Sequence, residues 1–222
     1  HQHSLPPAPI DDQGTCMIVL IRHGEIEGGK GRAVGQIDLH LSENGLTQAA
    51  QLADSLDTFH PRRIYCSPLS RTVQTVSFIE KRCSQKAIHV PEIKEINLGE
   101  WDGVDFAELK ARYPQDYQKR GEDIAGFRAP GGESFNDLRN RVSSFLESID
   151  DKTPVIVVTH AGAIRTIMHI VLGFPLDNIF RMKPDYCHAT VIARNKGGFN
   201  LLAYNLPPTS GLGDQLLTLM PD

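Results

Sequence analysis

The chain has 222 residues, of which 40% are hydrophobic and 23% are charged, values that are ordinary for a globular protein. Its net charge of −4 argues against general binding to nucleic acid or to a membrane surface. The longest apolar run, residues 164–172, is interrupted by Arg165 and His169 and is far shorter than the ~20 residues that span a bilayer. We therefore expect no nucleic-acid partner and no membrane segment.

The chain begins with a polar, proline-rich segment, residues 1–14, that lacks the apolar region of a signal peptide. We interpret this segment as a linker or a cloning remnant, and a linker would connect residue 1 to a further domain. From residue 15 to 206, short β-branched runs alternate with helical patterns, which is typical of βαβ units. The predicted elements of the first half are a strand at 16–21, a helix at 42–56, a strand at 63–66, a helix at 69–82 and a strand at 88–90.

The second half continues the same alternation. Residues 104–130 are helical but less apolar, and we predict a small helical cap insertion there. Ser134 is the predicted N-cap of the next helix, with Asp137 placed three residues later as in a capping box. The remaining predicted elements are a helix at 135–149, a central parallel strand at 155–158, a helix at 161–172 and a hairpin of strands at 190–194 and 199–204.

These elements predict an α/β fold, a three-layer αβα sandwich with a mostly parallel central sheet. Residues 207–222 are expected to form a peripheral C-terminal tail, in which 216–220 could dock on the surface. The four cysteines are scattered, and the two in predicted strands, Cys16 and Cys66, are interpreted as buried free thiols. Free thiols indicate a reducing compartment, so we expect a cytoplasmic protein.

Two of the predicted strands end with similar chemistry. Arg22-His23-Gly24 follows the first strand, and His160-Ala161-Gly162 follows the central one. Open α/β sheets bind their ligands at the carboxyl ends of the strands, and Arg71 lies just beyond a third strand end. A guanidinium suits phosphate or carboxylate, while an imidazole can act as nucleophile, base or metal ligand. No spacing in the chain suggests a metal site.

Six blocks, in this order, together resemble the histidine phosphatase superfamily, which includes phosphoglycerate mutases, fructose-2,6-bisphosphatases and α-ribazole phosphatases. They cover most of the chain from about residue 16 to 205. The blocks are Arg22-His23-Gly24-Glu25, Gly35-x-x-Asp38-x-x-Leu41-Ser42-x-x-Gly45, Ser67-Pro68-Leu69-x-Arg71-x-x-x-Thr75, Glu95-Ile96-Asn97-Leu98-Gly99-Glu100-Trp101-Asp102-Gly103, Pro130-Gly131-Gly132-Glu133-Ser134 and Thr159-His160-Ala161-Gly162.

The resemblance implies a phosphoglycerate mutase-like domain over residues 15–206 and a role for each motif residue. His23 would be the nucleophile that forms a phosphohistidine. Glu95 would protonate the leaving oxygen and then activate water. The phosphoryl oxygens would be held by Arg22, Arg71 and His160, helped by the backbone N–H of Gly162 at a helix start. The resemblance implies no metal and no cofactor.

One position departs from the family pattern. Many members carry an asparagine five residues after the glycine of Arg-His-Gly, where it donates to the phosphate, and this chain has Gly29 there. Backbone N–H groups or Gln36 could replace that donor.

Two groups of side chains in the cap insertion are interpreted separately. Three aromatic residues are interpreted as local packing rather than a substrate platform, and three cations could line the entrance to the site. The aromatic residues are Tyr113, Tyr117 and Phe127, and the cations are Lys119, Arg120 and Arg128.

The stretch between Glu95 and His160 is short, as in the α-ribazole and broad-specificity phosphatases of the family. We therefore predict a phosphoric monoester hydrolase of the histidine acid phosphatase type. Its substrate would be a small phosphorylated metabolite. This would be either a compound similar to α-ribazole 5′-phosphate or one of many esters accepted by an enzyme of broad specificity. Two alternatives stay open: phosphoglycerate mutase-type phosphotransfer, and a regulatory phosphate-binding module of a multidomain protein. The oligomeric state is left open.

Overall fold

The computed structural model describes residues 15–149 and 154–220, so the predicted linker at 1–14 lies outside the described residues. Within the described part, six strands form one sheet: β1 (Cys16–Arg22), β2 (Arg63–Cys66), β3 (Ile88–His89), β4 (Val155–Thr159), β5 (Ala189–Asn195) and β6 (Gly198–Leu206). Their order across the sheet is β3-β2-β4-β1-β5-β6. Strands β1 to β4 pair with one another in parallel, whereas β5 is antiparallel to both β1 and β6, which confirms a mostly parallel sheet.

Helices cover both faces of this sheet. They are α1 (Glu43–Ser55), α2 (Ser70–Cys83), α3 (Phe106–Arg112), α4 (Pro114–Glu122), α5 (Phe135–Ser148), α6 (Ala161–Leu172) and α7 (Leu212–Thr218), with 3-10 turns at Pro91–Ile93, Gly99–Trp101 and Leu176–Arg181. In the part of the chain that the structure describes, no helix combines the length and apolarity that crossing a membrane requires.

The strand β1 shows why three layers form. Successive side chains of a strand point to opposite faces, so an apolar run without alternation must be covered on both sides. Ile18 and Leu20 belong to a core shared with α5 and α6. Met17, Val19 and Ile21 belong to a second core shared with α1, α2 and α7. The three-layer αβα sandwich predicted from the sequence is confirmed.

The strand register brings three chain segments to one edge of the sheet. Arg22 in β1 is paired with Thr159 in β4, so the residues that follow, His23 and His160, leave the sheet side by side. Cys66 in β2 is paired with Val158 of the same central strand, which places Ser67 and the start of α2 beside them. This edge is where the strand-end histidines and arginines are expected to meet.

The cap contains two short helices, α3 and α4, that meet at Tyr113 and Pro114. Proline lacks a backbone N–H and disfavours helical backbone in the residue before it, which accounts for the break. Trp101 lies against Tyr113 and Tyr117, with 6.3 Å between ring centroids in both pairs. It also contacts Phe127, at 5.1 Å. The interpretation of these aromatic residues as local packing is confirmed.

The C-terminal segment is more closely attached than expected. Residues 207–222 were predicted as a peripheral tail, but they include α7, whose Leu212 and Leu216 are fully buried in the same core as Phe59. The prediction is wrong for this helix because its apolar residues repeat at a spacing of four and form one buried face. Docking, which the sequence left as an option, is what the structure shows.

All four cysteines lie in the described part of the chain and none forms a disulfide. Cys16 and Cys66 are buried, as expected, and so is Cys187. Burial is the main cause that raises the pKa of the thiols of Cys66 and Cys187 to about 12. At neutral pH these thiols are protonated, so they are structural side chains and not nucleophiles.

Candidate active site

His23 is buried at the carboxyl end of β1 and has one ring nitrogen occupied. Its Nδ1 lies 2.7 Å from the carbonyl oxygen of Gly24. A carbonyl only accepts, so Nδ1 carries the proton and Nε2 keeps its lone pair. Burial, and then the charges of Arg71 and Arg22, hold the pKa of His23 well below its usual value. The ring is therefore neutral and nucleophilic at Nε2 at neutral pH.

Arg22 lies beside His23 and is held by two contacts. Its Nη1 donates to the carbonyl oxygen of Pro184 at 2.8 Å, and its guanidinium lies 3.8 Å from the ring centroid of Tyr186. Its Nε is buried and has no hydrogen-bond partner among the described residues. A buried donor without a partner is costly, and an anion bound in front of His23 would satisfy it.

Arg71 and His160 form a buried pair behind the nucleophile. Arg71 Nε donates to His160 Nδ1 at 3.2 Å, and His160 Nε2 lies 2.7 Å from the hydroxyl of Ser67. Arg71 also donates to the carbonyl oxygens of Ile37 and Gly35. Burial, and then the charge of Arg71, keep the pKa of His160 well below its usual value. A neutral His160 therefore orients the guanidinium of Arg71.

Glu95 is 8% exposed and its carboxylate is held by backbone N–H groups. Oε1 accepts from the N–H of Ile96 and Oε2 from the N–H of Gly162, both at 2.9 Å. A Cβ at position 162 would stand in the space of this carboxylate and would force it to move, so the glycine permits the observed position of Glu95. The N–H of Gly162, predicted to bind phosphate, is thus directed at Glu95 in this structure.

A further arginine fixes the backbone of the Glu95 segment. Arg141 on α5 donates to the carbonyl oxygens of Glu92, Lys94 and Glu95 at 2.6, 2.7 and 2.9 Å. Its other donors form a bidentate ion pair with Glu133, with both distances 2.9 Å. One side chain therefore ties a helix of the core to the loop that carries Glu95.

These residues surround a cavity of about 250 Å³ that opens to solvent. Five of the lining residues are arginines and one, Glu95, is acidic, so the cavity is strongly positive although the chain is negative. The charged lining residues are Arg22, Arg32, Arg71, Arg120, Arg165 and Glu95, and the aromatic ones are Trp101, Phe106, Phe135, Phe180 and Tyr186. A small anion is the ligand that this lining favours.

The expectation that Gln36 replaces the missing phosphate donor is not met. Gln36 does not line the cavity, because its side-chain amide donates to the carbonyl oxygen of Glu95 at 3.0 Å and supports that loop from behind. Gly29 does line the cavity, but the space where a side chain would stand is occupied by Ile26. The asparagine donor that many family members carry at the position of Gly29 is therefore replaced neither by Gln36 nor by another side chain at that position.

Sequence reasoning missed several residues of the site. Tyr186, which supports Arg22, follows no motif and could not have been found from spacing. Arg165 stood out as a charge inside the apolar run of α6 but was used only to exclude a membrane span. Arg141 sits on the predicted helix 135–149 and was not identified, because the carbonyl groups that it binds lie 46 to 49 residues away in the chain.

The arrangement can transfer a phosphoryl group. A neutral imidazole with a free lone pair lines a cavity that is also lined by five guanidiniums and by the buried side chain of Glu95. Phosphoryl transfer depends on positioning and on stabilising charge on the phosphoryl oxygens, which fixed guanidiniums provide. Among the described residues, no group of three or more His, Cys, Asp or Glu side chains is placed to hold a metal ion.

Proteins of known name have sequences and folds similar to those of this chain. The sequence model of the histidine phosphatase superfamily (branch 1) matches residues 18–207. Phosphoserine phosphatase 1 of Hydrogenobacter thermophilus is 33% identical over 201 residues, which cover 89% of this chain and 94% of that protein. The metal-independent phosphoserine phosphatase of Arabidopsis thaliana is 38% identical over 157 residues, 68% of this chain and 66% of that protein.

Among solved structures, the α-ribazole phosphatase from Shigella flexneri has a TM-score of 0.81 at 22% identity. The match covers 88% of this chain and 98% of that one, and it demonstrates a shared fold. The family match, in contrast, extends over the strand-end motifs and the cap. The chain belongs to the histidine phosphatase superfamily, branch 1.

Proposed function

We propose that this protein hydrolyses phosphomonoesters through a phosphohistidine on Nε2 of His23. In the first step Nε2 attacks phosphorus, the bond from phosphorus to the ester oxygen breaks, and Glu95, which enters this step as the protonated carboxyl group, gives its proton to that oxygen. In the second step the Glu95 carboxylate so formed takes a proton from water as the water oxygen attacks phosphorus and the bond from phosphorus to Nε2 breaks. Inorganic phosphate leaves and His23 returns to its neutral state.

One observation carries this proposal. His23, whose Nδ1 alone is engaged, and Arg22, whose Nε has no hydrogen-bond partner among the described residues, follow one another at the end of β1, and both line the cavity that Glu95 also lines. A phosphoryl group in front of His23 would supply the acceptor that Arg22 lacks. Arg71 would hold a second oxygen and is itself oriented by His160. His160 would therefore act on the phosphate through Arg71, or by a direct contact with a phosphoryl oxygen. The N–H of Gly162 would become a phosphate donor when Glu95 moves away from it.

The substrate belongs to the same proposal. The relatives at 33% and 38% identity are named phosphoserine phosphatases, which supports a small phosphorylated metabolite. An ester similar to α-ribazole 5′-phosphate, expected from the sequence, draws support only from structures that share the fold. Assignment to the histidine acid phosphatase type rests on the proposed phosphohistidine.

Hydrolysis is favoured over mutase-type transfer by the way the cavity opens. A phosphoglycerate mutase must keep water from its phosphoenzyme, whereas this cavity opens to solvent beneath a cap of two short helices, α3 and α4. A regulatory phosphate-binding module would have no use for the buried carboxyl of Glu95. Release of phosphate from 3-phosphoglycerate, measured against its isomerisation, separates the first two activities.

The mechanism is tested by His23→Asn. This variant should hydrolyse p-nitrophenyl phosphate at least 1,000-fold more slowly, because a nucleophile and its covalent intermediate are lost. Acid-labile, base-stable phosphate should be trapped on the wild-type protein by rapid quench and should be absent from the variant. His60→Asn, at an exposed histidine remote from the cavity, is the matched control and should behave as wild type. Full turnover in His23→Asn would refute the mechanism.

A further inference from the structure

The cavity contains more positive charge than a phosphoryl group needs. Arg22 and Arg71 are placed to hold its oxygens, and Arg32 is exposed and paired with Asp105 at 3.8 Å. Arg120 and Arg165 remain, and both line the same cavity. Neither has an acidic partner within ion-pair distance among the described residues. Their charge is therefore not neutralised by an ion pair within the described part of the chain.

The two arginines are brought together from different parts of the structure. Arg120 lies near the end of the cap helix α4, and Arg165 lies on α6, just over one turn from its start beside His160. Both guanidiniums lie over the ring of Phe180, at 5.2 and 5.3 Å from its centroid. Phe180 is itself fixed by an edge-to-face contact with Phe135 at 5.7 Å. The ring of Phe180 thus contacts both cations, and all three residues line the same cavity.

Arg165 is also held by a hydrogen bond from its side chain to the backbone. Its Nε donates to the carbonyl oxygen of Met182 at 2.8 Å, which leaves the two terminal nitrogens for another acceptor. Burial lowers the pKa of both Arg120 and Arg165, so each charge is kept at a cost in desolvation. The buried indole N–H of Trp101, a third residue of the lining, also finds no acceptor in the described part of the chain.

We propose that Arg120 and Arg165 form a second anion subsite that binds a carboxylate of the substrate, so that the preferred substrates are small phosphate esters carrying a carboxylate. This inference rests on the proposed phosphatase function and extends it to substrate choice. A guanidinium binds a planar carboxylate through two parallel N–H donors. Two guanidiniums that line the same cavity can hold both oxygens of one carboxylate.

The size of the cavity supports a compact ligand. A cavity of about 250 Å³ has room for a phosphate, a few carbon atoms and a carboxylate. An uncharged aromatic substituent could stack on Phe180 or Trp101, but it would leave both arginines without an acceptor. Loss of that pairing is the kind of mismatch that lets a polar site reject an analogue strongly.

The test compares two esters that differ by one group. O-phosphoserine and O-phosphoethanolamine share the phosphate, the two carbons and the amine, and only the first has a carboxylate. The wild-type protein should prefer O-phosphoserine by at least tenfold in kcat/KM. In Arg120→Met and Arg165→Met the ratio between the two esters should fall about 10- to 100-fold, as expected when a charge-assisted hydrogen bond is lost.

Two further variants keep the test decisive. Lys119→Met removes a neighbouring cap cation that does not line the cavity, and it should leave the ratio of the two esters unchanged. Arg165→Lys keeps the charge if Arg165→Met folds poorly, and it should give an intermediate ratio because an ammonium lacks the planar fork. The unfolding midpoint of each variant is measured alongside its kinetics.

The outcomes separate the subsite from the activity itself. If both esters are slowed equally in Arg120→Met and Arg165→Met, or if the wild type shows no preference, the carboxylate subsite is refuted. Faster hydrolysis of α-ribazole 5′-phosphate than of any carboxylate ester would refute it as well. In each of these cases hydrolysis that depends on His23 would leave the proposed function standing. If no ester is hydrolysed at all, the proposed function fails first.

Discussion

Arg141 provides the sharpest test of how the loop carrying Glu95 is positioned. Replacing it by methionine keeps most of the side chain's length and removes five hydrogen bonds, three to carbonyl oxygens and two to Glu133. The side chains of Arg141 and Glu133 are only 19% and 24% exposed, so solvent compensates poorly. Removing one partner of such a pair costs about 3 kcal/mol of unfolding free energy.

The catalytic effect follows from position and not from contact. Arg141 does not line the cavity, but without it the backbone of Glu95 can shift, and a displacement of ~1 Å costs about 100-fold in rate. We expect Arg141→Met to lower kcat by about that factor and to change KM little. The loss should be larger for alkyl phosphates than for p-nitrophenyl phosphate, because a poor leaving group depends more on protonation by Glu95.

The assay combines urea unfolding with steady-state kinetics on esters of different leaving groups. Glu95→Gln provides the reference dependence on leaving group, and Arg141→Lys should recover part of the rate. Arg139→Met, at an exposed position on the same helix, is the control and should resemble wild type. If Arg141→Met lowers kcat equally for all leaving groups, or by less than twofold, Glu95 does not depend on Arg141 and the reasoning is wrong.

Three other expectations follow from the site. Gly162→Ala should reduce turnover by at least 100-fold with an unchanged circular dichroism spectrum, because the new methyl group displaces the carboxylate of Glu95; normal turnover would contradict the close approach. The pKa of each site histidine is depressed in the fold, so below pH ~6.5 the unfolded chain takes up protons that the folded chain does not, and the unfolding free energy falls with falling pH by about 1.4 kcal/mol per unit for each histidine. Denaturation of His23→Asn between pH 7 and 5 should show an average slope smaller by about 1 kcal/mol per unit, because the limiting slope is reached only well below pH ~6.5, and an identical slope would disprove the assignment. Tyr186→Leu should weaken inhibition by inorganic phosphate about 2- to 30-fold, because Arg22 loses the ring that it lies on.

The sequence predicted best those features that depend on near neighbours in the chain. The capping box of Ser134 and Asp137 is present, with hydrogen bonds in both directions. The buried strands β1 and β4 were predicted within about one residue of their bounds because their apolar runs are continuous. From these two strands alone, the convergence of His23 and His160 at one edge of the sheet could be deduced.

Features that depend on distant partners could not be predicted. The amide of Gln36 is used by a carbonyl 59 residues away, and the N–H of Gly162 is used by a carboxylate 67 residues away. No local pattern indicates such a partner, so both residues were predicted to face the phosphate. The same reason explains why α7 was expected to be peripheral, since the Phe59 core that receives it is formed by an earlier part of the chain.

The stacking of Trp101 gives the protein a built-in reporter. The chain has one tryptophan, and it lies between the cavity and the tyrosines of the cap. Indole emission responds to polarity and to nearby quenching groups, so both entry of a ligand and displacement of α3 and α4 should change the fluorescence of the unlabelled protein. Stopped-flow fluorescence can therefore time cap movement separately from phosphate release, with no dye and no engineered residue.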